Sequence, residues 1–393
     1  MASLAFLFGM IPATEKVEAA DDKIRADFAA FKEFEQSDEL KHFQELENEV
    51  KSNDFAESKK KILKEKYKDS DEYKKEKEYK RLSKKNKKKD EQPEELISLQ
   101  KEIESDVFKN RVNYLKMKPR ERYETTEECK KEKEYAQLKS SEKIVWYFKT
   151  QKKYPFKEIE QWEETFNESF ESGKLDDKWM NRYYWGDQIL NEPYTMADDK
   201  SFPTDGENIE FKDKKLRIVT RKEEIEGKKW DPFHGFLNDT FDFTSGLIST
   251  GKGFRQKYGI FKAKIKIASA DMTQAFWMVS DGIVPHIDVA KYERGKLYSG
   301  FFYNEGEKNN ILKSISKTGG SKFTNDFYIY SLEWYPEKVV WKINEKVFKT
   351  LKVNVPQDEM FMVFSAGLKE WANESGFPAA MEIDWVRVYK KKE

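Results

Sequence analysis

The feature that most restricts the fold is a series of short β-type segments, punctuated by turn residues, that fills the chain after Pro155. Phe241 to Thr250, Gly259 to Ile267, Ala275 to Ser280, Ile287 to Tyr292, Phe327 to Trp334, Val339 to Ile343 and Met381 to Tyr389 each concentrate aromatic and β-branched residues over strand length. Between them lie Gly251-Lys252-Gly253, Ser280-Asp281-Gly282, Thr318-Gly319-Gly320 and Tyr335-Pro336-Glu337, whose residues supply turn chemistry. No helical periodicity alternates with these runs, so crossover helices for a parallel sheet are missing and an antiparallel β-sandwich is predicted.

Before this region the chain has a different composition. From about Asp21 to Lys153 Lys and Glu dominate, Gly and Pro are scarce, and the sequence repeats itself. Ser70-Asp71-Glu72-Tyr73 followed by KKEKEY to Tyr79 and Leu82 recurs as Thr126-Glu127-Glu128-Cys129 followed by KKEKEY to Tyr135 and Leu138. Glu49-Val50-Lys51-Ser52 with Phe55 is echoed by Glu102-Ile103-Glu104-Ser105 with Phe108, and a partial third copy starts at Ser37. Each copy opens with a hydroxyl residue followed by acids, which suits a helix N-cap and a first turn favoured by the macrodipole. Tyr79 and Leu82, like Tyr135 and Leu138, share one helix face, but that face is narrow, so stacking on neighbours or on a partner must stabilise such helices. Pro119 interrupts the second copy and rules out one unbroken helix. The predicted fold class is therefore α+β multidomain: a leader over 1–22, an all-α repetitive arm over 23–153 and an antiparallel β-sandwich over 160–391. A helical spacer or assembly arm, with a protein partner or self-association, and a partly disordered charged stalk both remain open for 23–153.

Charge argues against some partners. Lys plus Arg and Asp plus Glu number 73 each, and the basic run from Lys84 to Lys89 is followed directly by Asp90, Glu91, Glu94 and Glu95. Neither nucleic acid nor an acidic membrane is expected as a partner. The single cysteine, Cys129, excludes an intrachain disulfide, and no Cys/His spacing resembles a zinc site. Leu4 to Ala13 followed by Val17-Glu18-Ala19-Ala20 looks like the apolar core and small-residue end of a secretion signal, yet no Lys or Arg precedes it. Export and a short apolar anchor packed on a neighbour are both consistent with it. No stretch approaches the roughly 18 apolar residues of a membrane-spanning helix.

Particular strings in the sandwich carry a resemblance. Trp162-Glu163-Glu164-Thr165-Phe166 with Trp179, then Trp185-Gly186, Phe243-Thr244-Ser245-Gly246-Leu247-Ile248, Tyr258 to Lys266, Ala275-Phe276-Trp277-Met278, Tyr330 to Pro336 and Asp384-Trp385-Val386-Arg387-Val388-Tyr389 stand in this order. Together they resemble glycoside hydrolase family 16, the laminarinase, lichenase and agarase group. The resemblance implies a concanavalin A-like jelly roll from Trp162 to Tyr389 and does not extend into the arm.

It also implies an active site, which this chain departs from. Retaining glycosidases need two carboxyl groups about 5 to 5.5 Å apart, one a nucleophile and the other an acid and then a base. The family places them on one strand as E-I-D-x-x-E, where alternation plus one bulged residue aims all three acids into one cleft. Here the string is His286-Ile287-Asp288-Val289-Ala290-Lys291. His286 stands in the nucleophile position and Lys291 in the acid/base position, with only Asp288 retained. An imidazole does not serve both as carboxylate nucleophile and as anionic stabiliser, and an ordinary lysine ammonium, with a pKa of about 10.4, is a poor acid at neutral pH. Ion pairing of Asp288 with Lys291 or His286 is the expected outcome, so no catalytic residues are expected. Glu293, two residues beyond Lys291, is the one further carboxylate that would make an inverting pair with Asp288.

For sugar binding, the resemblance puts Trp277 and Trp334 in the cleft, where flat rings stack on pyranose faces, with Trp185 at its rim. A core role for Trp277 and Trp334 is the competing reading. The family's structural calcium would draw on Asp384 and oxygen ligands from other loops; no other cofactor is expected. The sequence thus points to a non-catalytic glycan-binding or structural protein with a polysaccharide ligand, situated extracellularly, on a cell surface or in a virion. A weak or altered glycosidase and a protein-docking scaffold are the alternatives.

Overall fold

A computed structural model describes residues 11–86, 93–282, 284–304 and 311–392. Leu4 to Met10 of the apolar leader and the Lys87 to Glu91 part of the charged run lie outside the described residues. The chain forms two compact units, Ile24–Phe156 and, separately, Lys157–Glu393 together with the segment ending at Lys23.

Within the first unit the helices begin where the hydroxyl residues stand. Ser37, Ser52, Ser70, Ser105, Thr126 and Ser141 cap Asp38–Val50, Asn53–Lys64, Asp71–Lys85, Asp106–Lys116, Glu127–Lys139 and Glu142–Lys153, each accepting a backbone N–H from three residues on. Most of these hydroxyls also work backwards. Ser52 Oγ donates to Glu49 O at 2.7 Å, Ser105 Oγ to Glu102 O at 2.6 Å and Thr126 Oγ1 to Tyr123 O at 2.7 Å. One side chain therefore serves the end of one helix and the start of the next, which lets consecutive helices join through very short links without orphaned backbone groups. Pro119 opens the short helix Pro119–Glu124, where its missing N–H costs nothing. The apolar residues are few but collected: Phe31, Phe34, Leu40, Phe43, Ile144, Tyr147 and Phe156 form a buried cluster, with Phe31 stacked on Tyr147 at 4.9 Å and Phe43 on Tyr135 at 5.6 Å. Arg122 is buried elsewhere in the unit, and its guanidinium donates to Ile62 O at 2.6 Å, Glu65 O at 2.8 Å and Leu115 O at 3.3 Å. It ties the carbonyl ends of two helices together.

The second unit is built from two faced layers. In hydrogen-bonded order one sheet runs Ile209–Lys212, Lys215–Asp231, Ala379–Lys391, Gly259–Lys266, Phe327–Tyr335, Lys338–Ile343 and Lys346–Leu351, with Trp162–Glu168 paired to the outer part of Ala379–Lys391. The other runs Gly235–Ser249, Phe361–Gly367, Thr273–Val279, His286–Glu293, Lys296–Asn304 and Ile311–Gly319. Phe261, Ala263 and Ile265 of the first sheet meet Phe276, Met278, Ile287 and Phe364 of the second in one continuous core, as strict alternation requires. The two sheets are linked through a long hairpin, Lys215–Asp231 with Gly235–Ser249, whose outer half projects beyond both.

The chain start is part of this unit. Ala19 and Ala20 sit inside the helix Thr14–Glu35. Thr14 Oγ1 donates to Phe327 O at 2.6 Å, Asn344 Nδ2 donates to Pro12 O at 2.8 Å, and Glu18 takes both Lys264 Nζ at 2.9 Å and Trp385 Nε1 at 3.1 Å.

Two stability predictions follow from buried charge. Arg122→Met leaves three helix-end carbonyls without their donor and is expected to lower the stability of the Ile24–Phe156 unit by about 2 to 4 kcal/mol, read as an earlier helical melt of the full chain. Lys349, also buried, donates to Ser314 O and lies 5.0 Å from the Trp341 ring centroid. Burial pushes its ammonium down to about 8, against the pull of Asp288. Below pH 8 both folded and unfolded chains carry the charge and the fold bears the whole burial cost. Between about 8 and 10.4 the unfolded chain binds more protons, so this group's contribution to stability rises with pH. Lys349→Met should therefore stabilise the sandwich by about 1 to 3 kcal/mol at pH 7, with the gain shrinking to near zero by about pH 10 in denaturant titrations.

Candidate functional site

The site is organised by one extra residue in the strand His286–Glu293. Against Thr273–Val279 the pairing steps from Ala290↔Phe276 to Asp288↔Trp277, and against Lys296–Asn304 it steps from Lys291↔Tyr298 to Asp288↔Gly300. Both neighbours thus register a bulge at Val289 and Ala290. Strict alternation would put Ala290 on the face of Asp288; the bulge buries Val289 and Ala290 in the core and returns Lys291 to that face. The carbonyls that the bulge removes from the ladder are satisfied by side chains: Ser299 Oγ donates to Val289 O at 3.1 Å and Trp341 Nε1 to Asp288 O at 2.9 Å.

His286, Asp288 and Lys291 consequently line one cleft of about 630 Å³. Their charges are resolved locally. His286 Nε2 meets Asp288 Oδ1 at 2.9 Å, while Lys291 pairs at 3.0 Å with Glu293 and not with Asp288. The imidazole also lies over the Trp277 ring at 4.8 Å with 21° between planes, and Phe302 meets it edge-on at 5.3 Å. Trp277, 9% exposed, donates from Nε1 to Ser365 Oγ at 3.1 Å.

Trp185 lines the same cleft and donates to Asp281 O at 2.6 Å. Trp334 does not. It is fully buried among Tyr258 and Phe261, with its Nε1 on Pro356 O at 3.2 Å, because alternation along Phe327–Tyr335 turns it into the core. Its assignment to the cleft is corrected accordingly. Glu293 is likewise corrected: it is not among the residues lining the cleft and its carboxylate is taken by Lys291. Asp384 holds Lys264 Nζ at 2.7 Å and Lys215 Nζ at 3.9 Å. Two ammonium groups on one aspartate do not fit a calcium site, which needs six or more oxygens, and the described residues contain no group of three or more His, Cys, Asp or Glu able to hold an ion.

Several cleft residues were missed by sequence reasoning. Tyr183, Tyr194, Trp230 and Phe236 add rings from the Tyr184–Ile189 region and from the long hairpin. Burial pushes the Tyr194 hydroxyl up to about 12, so it stays neutral. Asp199 also lines the cleft, accepting from Thr195 Oγ1 and Met196 N, both at 2.9 Å, and pairing with Lys369 at 2.6 Å. Burial works against the charge of Lys369, but Asp199 and Asp198 outweigh it and hold its ammonium above the usual lysine value. A usable signal existed for the hairpin: Trp230 and Phe236 bracket the turn string Asp231-Pro232-Phe233-His234-Gly235, and the two face each other as a cross-strand pair. Asp199 and Lys369 are 170 residues apart in number and carry no local pattern.

The comparisons agree with this geometry. The family model of glycosyl hydrolases family 16 matches residues 196–387. Glucan endo-1,3-beta-glucosidase A1 of Niallia circulans is 26% identical over 271 residues, 59% of this chain and 38% of that protein. Kappa-carrageenase of Pseudoalteromonas carrageenovora is 24% identical over 230 residues, 47% of this chain and 57% of that protein. The chain thus spans less than two thirds of either relative. A solved chain from work on endo-acting O-glycanases of the human gut microbiota shares the fold with a TM-score of 0.50 and 18% identity, over 59% of this chain and 92% of that chain. Among the described residues no helix is long and apolar enough to cross a membrane. The C-terminal sandwich therefore resembles the glycosyl hydrolases of family 16 in sequence and fold, and the helical arm lies outside that likeness.

Proposed function

We propose that this chain is a non-catalytic glycan-binding protein, a family 16 sandwich that keeps its groove and has lost its bond-cleaving groups. The observation that carries this reading is the pairing at the motif strand. Where two carboxylates would face the sugar, an imidazole and an ammonium stand instead, each neutralised by the acid two residues along the strand. Side chains two apart share a face, so each pair closes on itself. Flat apolar surface in the cleft comes from Trp185 and Phe302, which suits the apolar face of a pyranose ring.

The named relatives support a polysaccharide as ligand, one a glucanase and the other a carrageenase. In this reading the helical arm is a spacer or assembly element, and the chain works outside the cell, on a cell surface or in a virion. An altered glycosidase is the second reading, and it draws on Asp199 and Asp288, the two carboxylates that line the cleft among the described residues. Both are engaged, one by Lys369 and the other by His286.

Two measurements test the proposal. On a glycan array the full chain should bind a polysaccharide, and Trp185→Ala should weaken that binding by about 3- to 10-fold. Retention of nothing on the array would remove the glycan-binding reading. In reducing-sugar assays on β-glucans, agar and carrageenan the native chain should release nothing, whereas His286→Glu with Lys291→Glu should gain hydrolysis. Release by the native chain that disappears in Asp288→Asn would establish the glycosidase instead.

A further inference from the structure

The long hairpin continues the cleft outward as a line of rings. Trp230 and Phe236 sit opposite each other near its tip with centroids 4.9 Å apart; Phe236 meets Tyr194 at 5.1 Å, Tyr194 meets Tyr183 at 5.5 Å, and Tyr183 meets Trp277 at 6.4 Å. All five line the cleft, so a chain of ring contacts runs from Trp277, beneath His286 of the motif strand, to the hairpin end. Trp230 is 38% exposed, unlike the buried Tyr194 that backs Phe236, and so offers open ring surface.

The hairpin is held, which a stacking surface requires. Tyr194 and Thr195 pair as a short strand with Lys228 and Lys229, and Lys229 reaches Glu370 at 3.3 Å. At Gly227 the backbone passes so close to the Phe202 ring that a Cβ would sit 2.2 Å from it. An anchored pair of rings loses little entropy when a flat ligand settles on it.

Charge sets the ligand chemistry. Among the described residues the cleft ammonium groups of Lys291 and Lys369 each face a carboxylate at 3.0 Å or less, and the His286 imidazole meets Asp288 at 2.9 Å. A sulfated or uronic chain would have to displace one of these pairs, at a desolvation cost that a neutral sugar avoids.

We propose that the Trp230–Phe236 pair on the long hairpin is an outer carbohydrate platform that extends the cleft to a run of several neutral sugar units. The inference rests on the glycan-binding reading and adds to it a residue pair and a chain-length requirement. Its test is calorimetric titration of the full chain with neutral β-linked gluco-oligosaccharides from disaccharide to octasaccharide, with sulfated carrageenan oligosaccharides of equal lengths alongside. Affinity of the native chain should rise with length and favour the neutral series. Trp230→Ala should weaken the longest neutral ligands about 3- to 10-fold while leaving the disaccharide unchanged. Phe233→Ala, at the same tip but 89% exposed and outside the cleft lining, should change neither series. If Trp230→Ala has no effect on long ligands while Trp185→Ala weakens all lengths, the hairpin platform is wrong and the cleft reading stands. Preference for the sulfated series would overturn the neutral-ligand assignment. Absence of binding to any oligosaccharide would sink the glycan reading and this inference together.

Discussion

Everything at the site depends on a backbone irregularity that occupies a single residue. A flat strand would send the residues at 286, 288 and 290 to one face and leave Lys291 facing the core. The bulge at Val289 and Ala290 changes that parity, so Asp288 and Lys291, three apart in sequence, line the same cleft. Its cost is two carbonyls withdrawn from regular pairing, and Ser299 on the adjacent strand and Trp341 on the facing sheet return those hydrogen bonds. The bulge and its supports hold His286, Asp288 and Lys291 toward one cleft.

The side chains placed there set the electrostatics of the cleft. Two carboxylates held near each other repel, raise the pKa of one partner and store the difference that general-acid chemistry uses. A basic residue in each position does the reverse. His286 and Lys291 each find a carboxylate on the same strand face, and Lys369 finds Asp199 and Asp198. Beside these pairs the rings of Trp185 and Phe302 line the cleft, while the His286 imidazole covers Trp277.

How much of this was legible in the sequence varied with the locality of the signal. Strands that alternate, such as Gly259–Lys266, were readable because one face is buried and the other wet. The cap positions were readable because Ser or Thr before two acids has a local mechanism. Lys215–Asp231 was not recognised, since its outer half, Glu223 to Lys229, is charged enough to resemble helix; it is a strand because it pairs with Gly235–Ser249 and lies beside Tyr194. Phe361–Gly367 is a short apolar run of the kind that periodicity assigns equally to strand or buried helix. At the site, the three motif residues and two of the tryptophans were legible through resemblance. Trp334 was misplaced because one residue of register decides between cleft and core, and that register is fixed only by the strands on either side.

The two units look unlike in composition but obey one rule for backbone groups outside regular ladders. In the helical unit the link carbonyls are met by the hydroxyls of Ser52, Ser105 and Thr126, and the carbonyl ends near Ile62, Glu65 and Leu115 are met by Arg122. In the sandwich unit the same task falls to Ser299 and Trp341 at the bulge and to Asn344 at Pro12. A buried carbonyl without a donor costs more than the average hydrogen bond contributes, so the buried donors Arg122, Ser299, Trp341 and Asn344 constrain the fold out of proportion to their number. Apolar positions in either unit tolerate exchange among residues of similar volume, whereas each of these donors has a geometry that only its own side chain reaches. The polar exceptions inside the core, more than the apolar pattern around them, are therefore what distinguish this chain from any other sequence with the same periodicity.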